Sequence, residues 1–269
     1  CMRSRVIIDH LLSRGHEVEI VASARAVEYL QRHFGKVNRI HGFHIITRRN
    51  RVQRAHTVIS NLVKGTRALP RQLRAYLQLT KRFRPDVVIS DFETWSLLYA
   101  ELHRVPVLSI DNMQVINRCR LPRKLTRGHR IDFEIARTVV RSKLPFCRHY
   151  FITTFFYPEV RRPNTGLFPP ILRPEILEAE EREGDHLLVY QTEPGNRRLI
   201  NALSATGLEC RVYGMRPGIT SEETLGNLRF RPFSEPRFID DLASARGVVA
   251  SAGFTLMGEA ISLHKPYLG

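Results

Sequence analysis

The sequence has no close cysteine pair; its four cysteines stand at positions 1, 119, 147 and 210. That spacing excludes a CxxC redox or zinc site and is what a reduced intracellular chain is expected to show. No apolar run approaches the ~18 residues of a membrane-spanning helix, and no signal peptide opens the chain. A cytoplasmic protein is expected, or one peripheral on the inner face of the cell membrane. There is no Walker-type loop, no G-x-G-x-x-G and no G-x-S-x-G elbow, which removes three common phosphate-binding and hydrolytic designs. No Asp-x-Asp pair is present to hold a divalent cation against a diphosphate, so neither a metal nor a cofactor is expected. His41 and His44 are the close pair among eleven histidines, and no cysteine or second pair joins them.

What is present is apolar surface and positive charge. Of the 269 residues 43% are apolar, enough for a substantial core, and the formal net charge is +16. The charge is uneven. Residues 1–150 hold 29 Lys and Arg against 11 Asp and Glu, whereas residues 151–269 hold 13 against 15. Two bodies with different partners are expected, the first facing something anionic: nucleic acid, an acidic lipid surface or a phosphorylated substrate.

Hydrophobic periodicity alternates between helix and strand along the chain. Val6, Ile7, Leu11 and Leu12 mark a helix that Gly15 can close, and strands are expected over 17–23 and 37–46. A helix is expected over 25–34 and a long helical stretch over 52–83, then strands over 86–90 and 106–110 around a helix over 93–103. Prolines and glycine concentrate over 165–174 ahead of an acidic run, which reads as a linker over 165–185. The alternation restarts with strands over 186–191, 209–213, 228–231 and 247–250 and helices near 195–206, 235–245 and 254–264. Alternation of buried strands with helices means parallel sheets covered on both faces, here two doubly wound, Rossmann-like α/β domains, 1–164 and 186–269. The first lacks its opening strand, Cys1 is no initiator, and Lys265 to Gly269 reads as a strand just begun. An internal piece of a longer protein, incomplete at both termini, is therefore expected.

Residues 248–260 join a buried strand, a small-residue turn and a helix start. Ser251, Ala252 and Gly253 let backbone approach a ligand, and the free N–H groups of the helix opened by Phe254 and Thr255 attract phosphate. Glu259 lies six residues past Gly253, about 9 Å along a helix, roughly the reach from a diphosphate to its ribose hydroxyls. Gln191, Thr192 and Glu193 stand at a strand's carboxyl end, where open α/β sheets bind ligands. Phe233 precedes a helix, where a flat base can meet backbone groups. Each has a plainer role: packing for the turn, core for Phe233, a solvated helix face for Asp240 and Asp241. Asp91 is either an acceptor-side carboxylate or the cap of the next helix.

Together these residues resemble the nucleotide-sugar glycosyltransferases of the GT-B fold, in the branch with MurG-type and teichoic-acid-biosynthesis-like proteins. Ser251-Ala252-Gly253 with Glu259 is similar to the family's donor-diphosphate loop and ribose-binding glutamate. Arg3 and Ser4 look like the start of its acceptor-side helix, and the segments 85–91 and 106–113, with Asn112, like its later amino-domain strands. The resemblance implies two domains facing a cleft and transfer of a sugar from a UDP-sugar to a hydroxyl acceptor, lipid-linked or anionic, in cell-envelope glycan or glycolipid synthesis. It implies a catalytic histidine before Cys1, leaving Asp91 as the weak catalytic candidate within this chain, and the resemblance leaves open whether the fragment is active or inactive. A nucleotide-sugar epimerase, a non-catalytic subunit of the same fold and a basic RNA- or DNA-binding protein are the alternatives. The last has no recognition motif here, and the acidic second half argues against it. Lys64, Arg67, Arg71, Arg74 and Lys81 form a cationic stripe that suits either an anionic membrane surface or a solvated face.

Overall fold

The computed structural model describes residues 2–40, 47–48, 51–52, 82–194 and 196–269. His41, His44 and most of the helix expected over 52–83, with its cationic stripe, lie outside the described residues. The chain divides into two compact units, Cys1–Pro170 and Ile171–Gly269.

In the first unit, α1 (Met2–Ser13) ends before Gly15, whose φ of 80° only glycine adopts freely. There the His16 N–H donates to the Leu11 carbonyl at 3.1 Å, closing the helix in a Schellman turn. The apolar face expected on α1 is only partly used. Ile8 packs on a small cluster of Ile20, Val27 and Leu30, while Leu12 is 45% exposed. Helix α2 (Arg25–Phe34) connects β1 (Val21–Ala22) to the parallel β2 (Asn38–Arg39). The strand expected over 17–23 is thus two residues long. Next comes an antiparallel pair not expected from the pattern, β3 (Thr47–Arg48) and β4 (Arg51–Val52).

Among the described residues, a wholly parallel sheet in the order β5-β6-β7-β8 follows in this unit. Its parts are β5 (Val88–Ser90), α3 (Trp95–His103), β6 (Val107–Asp111), α4 (Val115–Arg118), α5 (Arg130–Lys143), β7 (His149–Thr153) and β8 (Thr165–Phe168). Strand β8 corrects the expected linker and the expected end of the first domain at 164. Its four residues include Gly166 and run into Pro169 and Pro170, so turn chemistry hides a short edge strand, where such residues are tolerated.

The rest of the expected linker belongs to the second unit, where α6 (Pro174–Leu177) inserts Ile176, 1% exposed, into the core. The second unit continues with β9 (His186–Tyr190), α7 (Arg197–Ala205), β10 (Glu209–Tyr213), β11 (Glu223–Leu225), β12 (Leu228–Arg231) and α8 (Glu235–Ala243). It ends with β13 (Gly247–Ala250), α9 (Phe254–Ser262) and β14 (Tyr267–Leu268). The six strands lie in the order β11-β12-β10-β9-β13-β14, parallel except for β11. Successive strand residues face opposite sides. Accordingly Leu188 and Tyr213 join Phe238, Leu242 and Leu256 on one face, and Val189 and Val212 join Leu203, Leu228 and Phe230 on the other. Both faces being buried, the central strands β9 and β13 read as near-continuous apolar runs.

Asp241 on α8 overturns the solvated face expected for Asp240 and Asp241. Asp240 is exposed and pairs with Arg182, but Asp241 is buried. Its carboxylate accepts from Arg211 Nη1 at 2.6 Å, Arg231 Nη1 at 2.5 Å and Tyr213 Oη at 2.5 Å. This ties α8 to β10 and β12. Burial pushes the Asp241 pKa up, but bonds from Arg231, Tyr213 and Arg211 outweigh it and hold the carboxyl below the usual range.

Two outcomes are expected. Ile176→Ala will cost about 2–5 kcal/mol in denaturant unfolding of the second unit; a linker side chain would cost almost nothing. With its folded pKa depressed, Asp241 contributes stability that is present at neutral pH and lost as pH falls through that lowered value. Asp241→Asn will therefore lose about 3–5 kcal/mol at neutral pH and show a smaller difference from wild type in acid, read from denaturant midpoints across pH.

Candidate functional site

Open parallel sheets bind ligands at the carboxyl ends of their strands, where loops and helix N-termini converge. In the first unit that edge carries a polar cluster. Asp91 comes directly after β5 and is gripped by Arg3 Nη2, while its Oδ2 accepts from Ser4 Oγ at 2.7 Å. Arg3 Nη1 also donates to Thr153 Oγ1, at the end of β7, at 3.0 Å. Two residues from α1 and one from beyond β5, singled out separately in the sequence, thus meet.

Asp91 does not cap the next helix. The cap residue of α3 is Thr94, and the Glu93 N–H is accepted by Ser90 Oγ at 3.0 Å. Phe92, directly after Asp91, has a φ of 61°, a left-handed conformation that costs a non-glycine residue about 1 kcal/mol or more. Asn112 is half-buried; its neighbour Asp111, buried at the end of β6, is the residue coupled to the cluster. Asp111 accepts from Ser109 Oγ at 2.7 Å and the Gln114 N–H at 2.8 Å. Burial raises its pKa, the Asp91 charge adds to that, and the two hydrogen bonds and Arg3 oppose it. Sequence reasoning passed over Asp111 and Thr153, although each stands at a strand's carboxyl end.

In the second unit the corresponding edge centres on Ser251. Gln191, just past β9, is buried, and its Oε1 accepts both from Ser251 Oγ at 2.9 Å and from the Thr192 N–H at 3.1 Å. Since a backbone N–H can only donate, the second bond assigns the amide orientation. The NH2 group at the other end of the amide then holds the Gln191 donors. The Ser251 carbonyl accepts from Tyr267 Oη at 2.6 Å and from the Gly253 N–H at 2.6 Å. The turn is therefore fastened from β9 on one side and β14 on the other.

Ser251, Ala252 and Gly253 are exposed, and Phe254 and Thr255 are half-buried. No side chain caps α9 at Gly253, so its first amides stay available to an anion. Gly214, φ 85°, allows another close approach: a Cβ there would stand 2.7 Å from the Gln191 carbonyl oxygen.

Phe233 is not core. It is 58% exposed, with its ring against Phe238 at 5.6 Å and edge-on to Tyr213 at 6.3 Å between centroids. Thr192 is exposed and contributes its N–H to the Gln191 amide, and Glu193 is half-buried. Glu259 lies in the second turn of α9 but is only 2% exposed, in contact with Arg173. Tyr267, Gly214 and Arg173 are the residues that sequence reasoning missed; a lone tyrosine, a glycine and an arginine among prolines carry no motif. Among the described residues no three His, Cys, Asp or Glu side chains converge as metal ligands.

No curated protein matches the sequence. The structure is similar to Arabidopsis thaliana UGT89C1 complexed with UDP, at 12% identity and a TM-score of 0.59, covering 100% of this chain and 76% of that one. It is similar to the spinosyn rhamnosyltransferase SpnG, at 19% identity and a TM-score of 0.53, covering 96% and 73%. It is also similar to MurG of Acinetobacter baumannii, at 13% identity and a TM-score of 0.50, covering 97% and 72%. At such identities the likeness shows the GT-B fold and selects no branch within it. A family model described as glycosyl transferase family 1 matches residues 1–269. With the α/β fold of its structural neighbours and a small-residue turn at the expected strand end, the chain belongs to glycosyl transferase family 1.

Proposed function

We propose that the second unit binds the UDP moiety of a sugar nucleotide and that the first presents a hydroxyl acceptor, as the MurG-like and teichoic-acid-biosynthesis-like branch implies. The observation that carries this reading is the exposed turn of Ser251, Ala252 and Gly253, held by Gln191 and Tyr267 ahead of the uncapped α9. Its amides suit a diphosphate, whose charge grows as the glycosidic phosphate bond breaks, and donors fixed beforehand stabilise that charge without reorganising. Phe233 offers an exposed ring face for the base, and Glu259 an acceptor for ribose hydroxyls.

In the transfer, the acceptor oxygen bonds to the anomeric carbon as the carbon–oxygen bond to UDP breaks. UDP keeps the electron pair, and the acceptor proton passes to a carboxylate for which Asp91, oriented by Arg3 and Ser4, is the candidate. The chemistry as proposed uses no metal.

A membrane-linked, anionic acceptor is supported by the outer face of α5. Ile131, Ile135 and Val139 are exposed there at successive turns, with Arg130 and Arg141 exposed alongside. Apolar side chains flanked by arginines suit an anionic bilayer surface.

Calorimetry with UDP tests the donor site: Glu259→Ala will weaken UDP by roughly tenfold or more, the loss of about 1.4 kcal/mol or more expected for hydrogen bonds to a charged group. Equal affinity in the two proteins overturns the assignment. Chelation with EDTA will leave UDP affinity and any measured sugar transfer unchanged, and a loss of transfer reversed by a divalent cation would overturn metal independence. Sedimentation with phosphatidylglycerol vesicles will recover the protein at low salt, and Ile131→Asp with Ile135→Asp will abolish recovery; vesicle binding unaffected by the pair rules out this face.

A further inference from the structure

Arg173 precedes α6, in the stretch that reads as linker, yet it is 3% exposed. Its Nη1 donates to Glu235 Oε1, at the start of α8, at 2.6 Å, and its Nη2 donates to Glu259 Oε2, on α9, at 3.0 Å. Its Nε lies 2.9 Å from Glu259 Oε1 in ionic contact. Off the line of a hydrogen bond, both of these buried atoms lack a hydrogen-bond partner among the described residues. Glu175, on α6, adds a third negative charge to the surroundings of Glu259. One guanidinium therefore bridges two carboxylates, with a third nearby.

That arrangement bears on the donor site. Burial raises the pKa of Glu259, Glu235 and Glu175 raise it further, and the charge and hydrogen bond of Arg173 oppose them. A neutral carboxyl turns one oxygen into a donor and weakens the other as an acceptor, whereas a carboxylate accepts at both. Vicinal ribose hydroxyls need acceptors. Glu259 Oε2 accepts from Arg173, and Oε1 is buried in ionic contact with the Arg173 Nε, outside any hydrogen bond among the described residues.

We infer that Arg173 is a positioning residue for the donor: its guanidinium keeps Glu259 as an oriented carboxylate at the second turn of α9. The inference rests on the reading of Glu259 as the ribose acceptor. It assigns to the segment entering the second unit a part in nucleotide binding that no nucleotide contact of its own is needed to explain. Without Arg173, burial and the two neighbouring glutamates favour the neutral form, so UDP affinity falls at neutral pH and recovers as the medium becomes more alkaline.

The test is UDP affinity by calorimetry across about pH 5.5 to 8.5, each value taken as a ratio to that of Glu259→Gln. The ratio removes the titration of the nucleotide's own phosphate and leaves that of the glutamate. In Arg173→Met the midpoint of this ratio is expected to move up by about one pH unit or more relative to wild type, with affinity at neutral pH down by roughly tenfold. Arg173→Lys, which keeps the charge without the fork, is expected to lie between the two. Glu235→Gln removes a negative neighbour and is expected to move the midpoint down. Thermal melts identify any variant that does not fold, and Glu235→Gln, which leaves Arg173 paired with Glu259, decides the matter if Arg173→Met unfolds. Profiles for Arg173→Met and Glu235→Gln that superimpose on wild type, or differ from it only by a pH-independent factor, overturn the inference. If Glu259→Ala also binds UDP as wild type does, the donor-site reading itself has failed; if it weakens binding, only the role of Arg173 has.

Discussion

The second unit depends on one buried guanidinium. Arg173 joins the start of α8 through Glu235 and the second turn of α9 through Glu259. A charge taken out of water is tolerated only where partners replace its hydration. Two carboxylates do so here. Ile176, three residues on, sinks into the core beside Leu256 and Leu263 on the same face of the sheet. Polar clamp and apolar anchor together make the entry to this unit part of its body.

Each unit then uses the same geometric rule for different chemistry. Parallel strands end together, so the residues just past their carboxyl ends gather along one edge of the sheet. In the first unit that edge collects Asp91, Asp111 and Thr153 with Arg3, a charged cluster with acceptor and donor groups side by side. In the second it collects Gln191, the turn at Ser251 and the uncapped start of α9, where backbone donors dominate.

Much of the second unit is legible in the sequence. The strands β9 and β13 lie where apolar runs place them, because burial on both faces demands continuous apolar residues, and β10 and β12 lie where apolar residues alternate with arginine. The first unit is harder to read. Helix α5 escapes the pattern because basic residues fill its exposed sides and Ile131, Ile135 and Val139 stay outside rather than marking a core face. Strand β8 reads as linker because glycine and prolines at a sheet edge look like turn chemistry. In the candidate site, Ser251, Gly253 and Glu259 stand out by spacing, whereas Tyr267 matters only through a hydroxyl that reaches the Ser251 carbonyl.

The sequence by itself determined the α/β class, the order of alternating elements in the second unit and the strand-to-helix turn that suits a diphosphate, because these arise from periodicity and from small residues at neighbouring positions. Only the tertiary structure decided that Asp91 meets Arg3 and Ser4 rather than capping a helix, that Asp241 is buried among Arg211, Arg231 and Tyr213, and that Arg173 holds Glu259. Most of these contacts join residues tens of positions apart. Ion pairs at that separation leave no period in the sequence; packing of helices against a sheet alone brings them within reach.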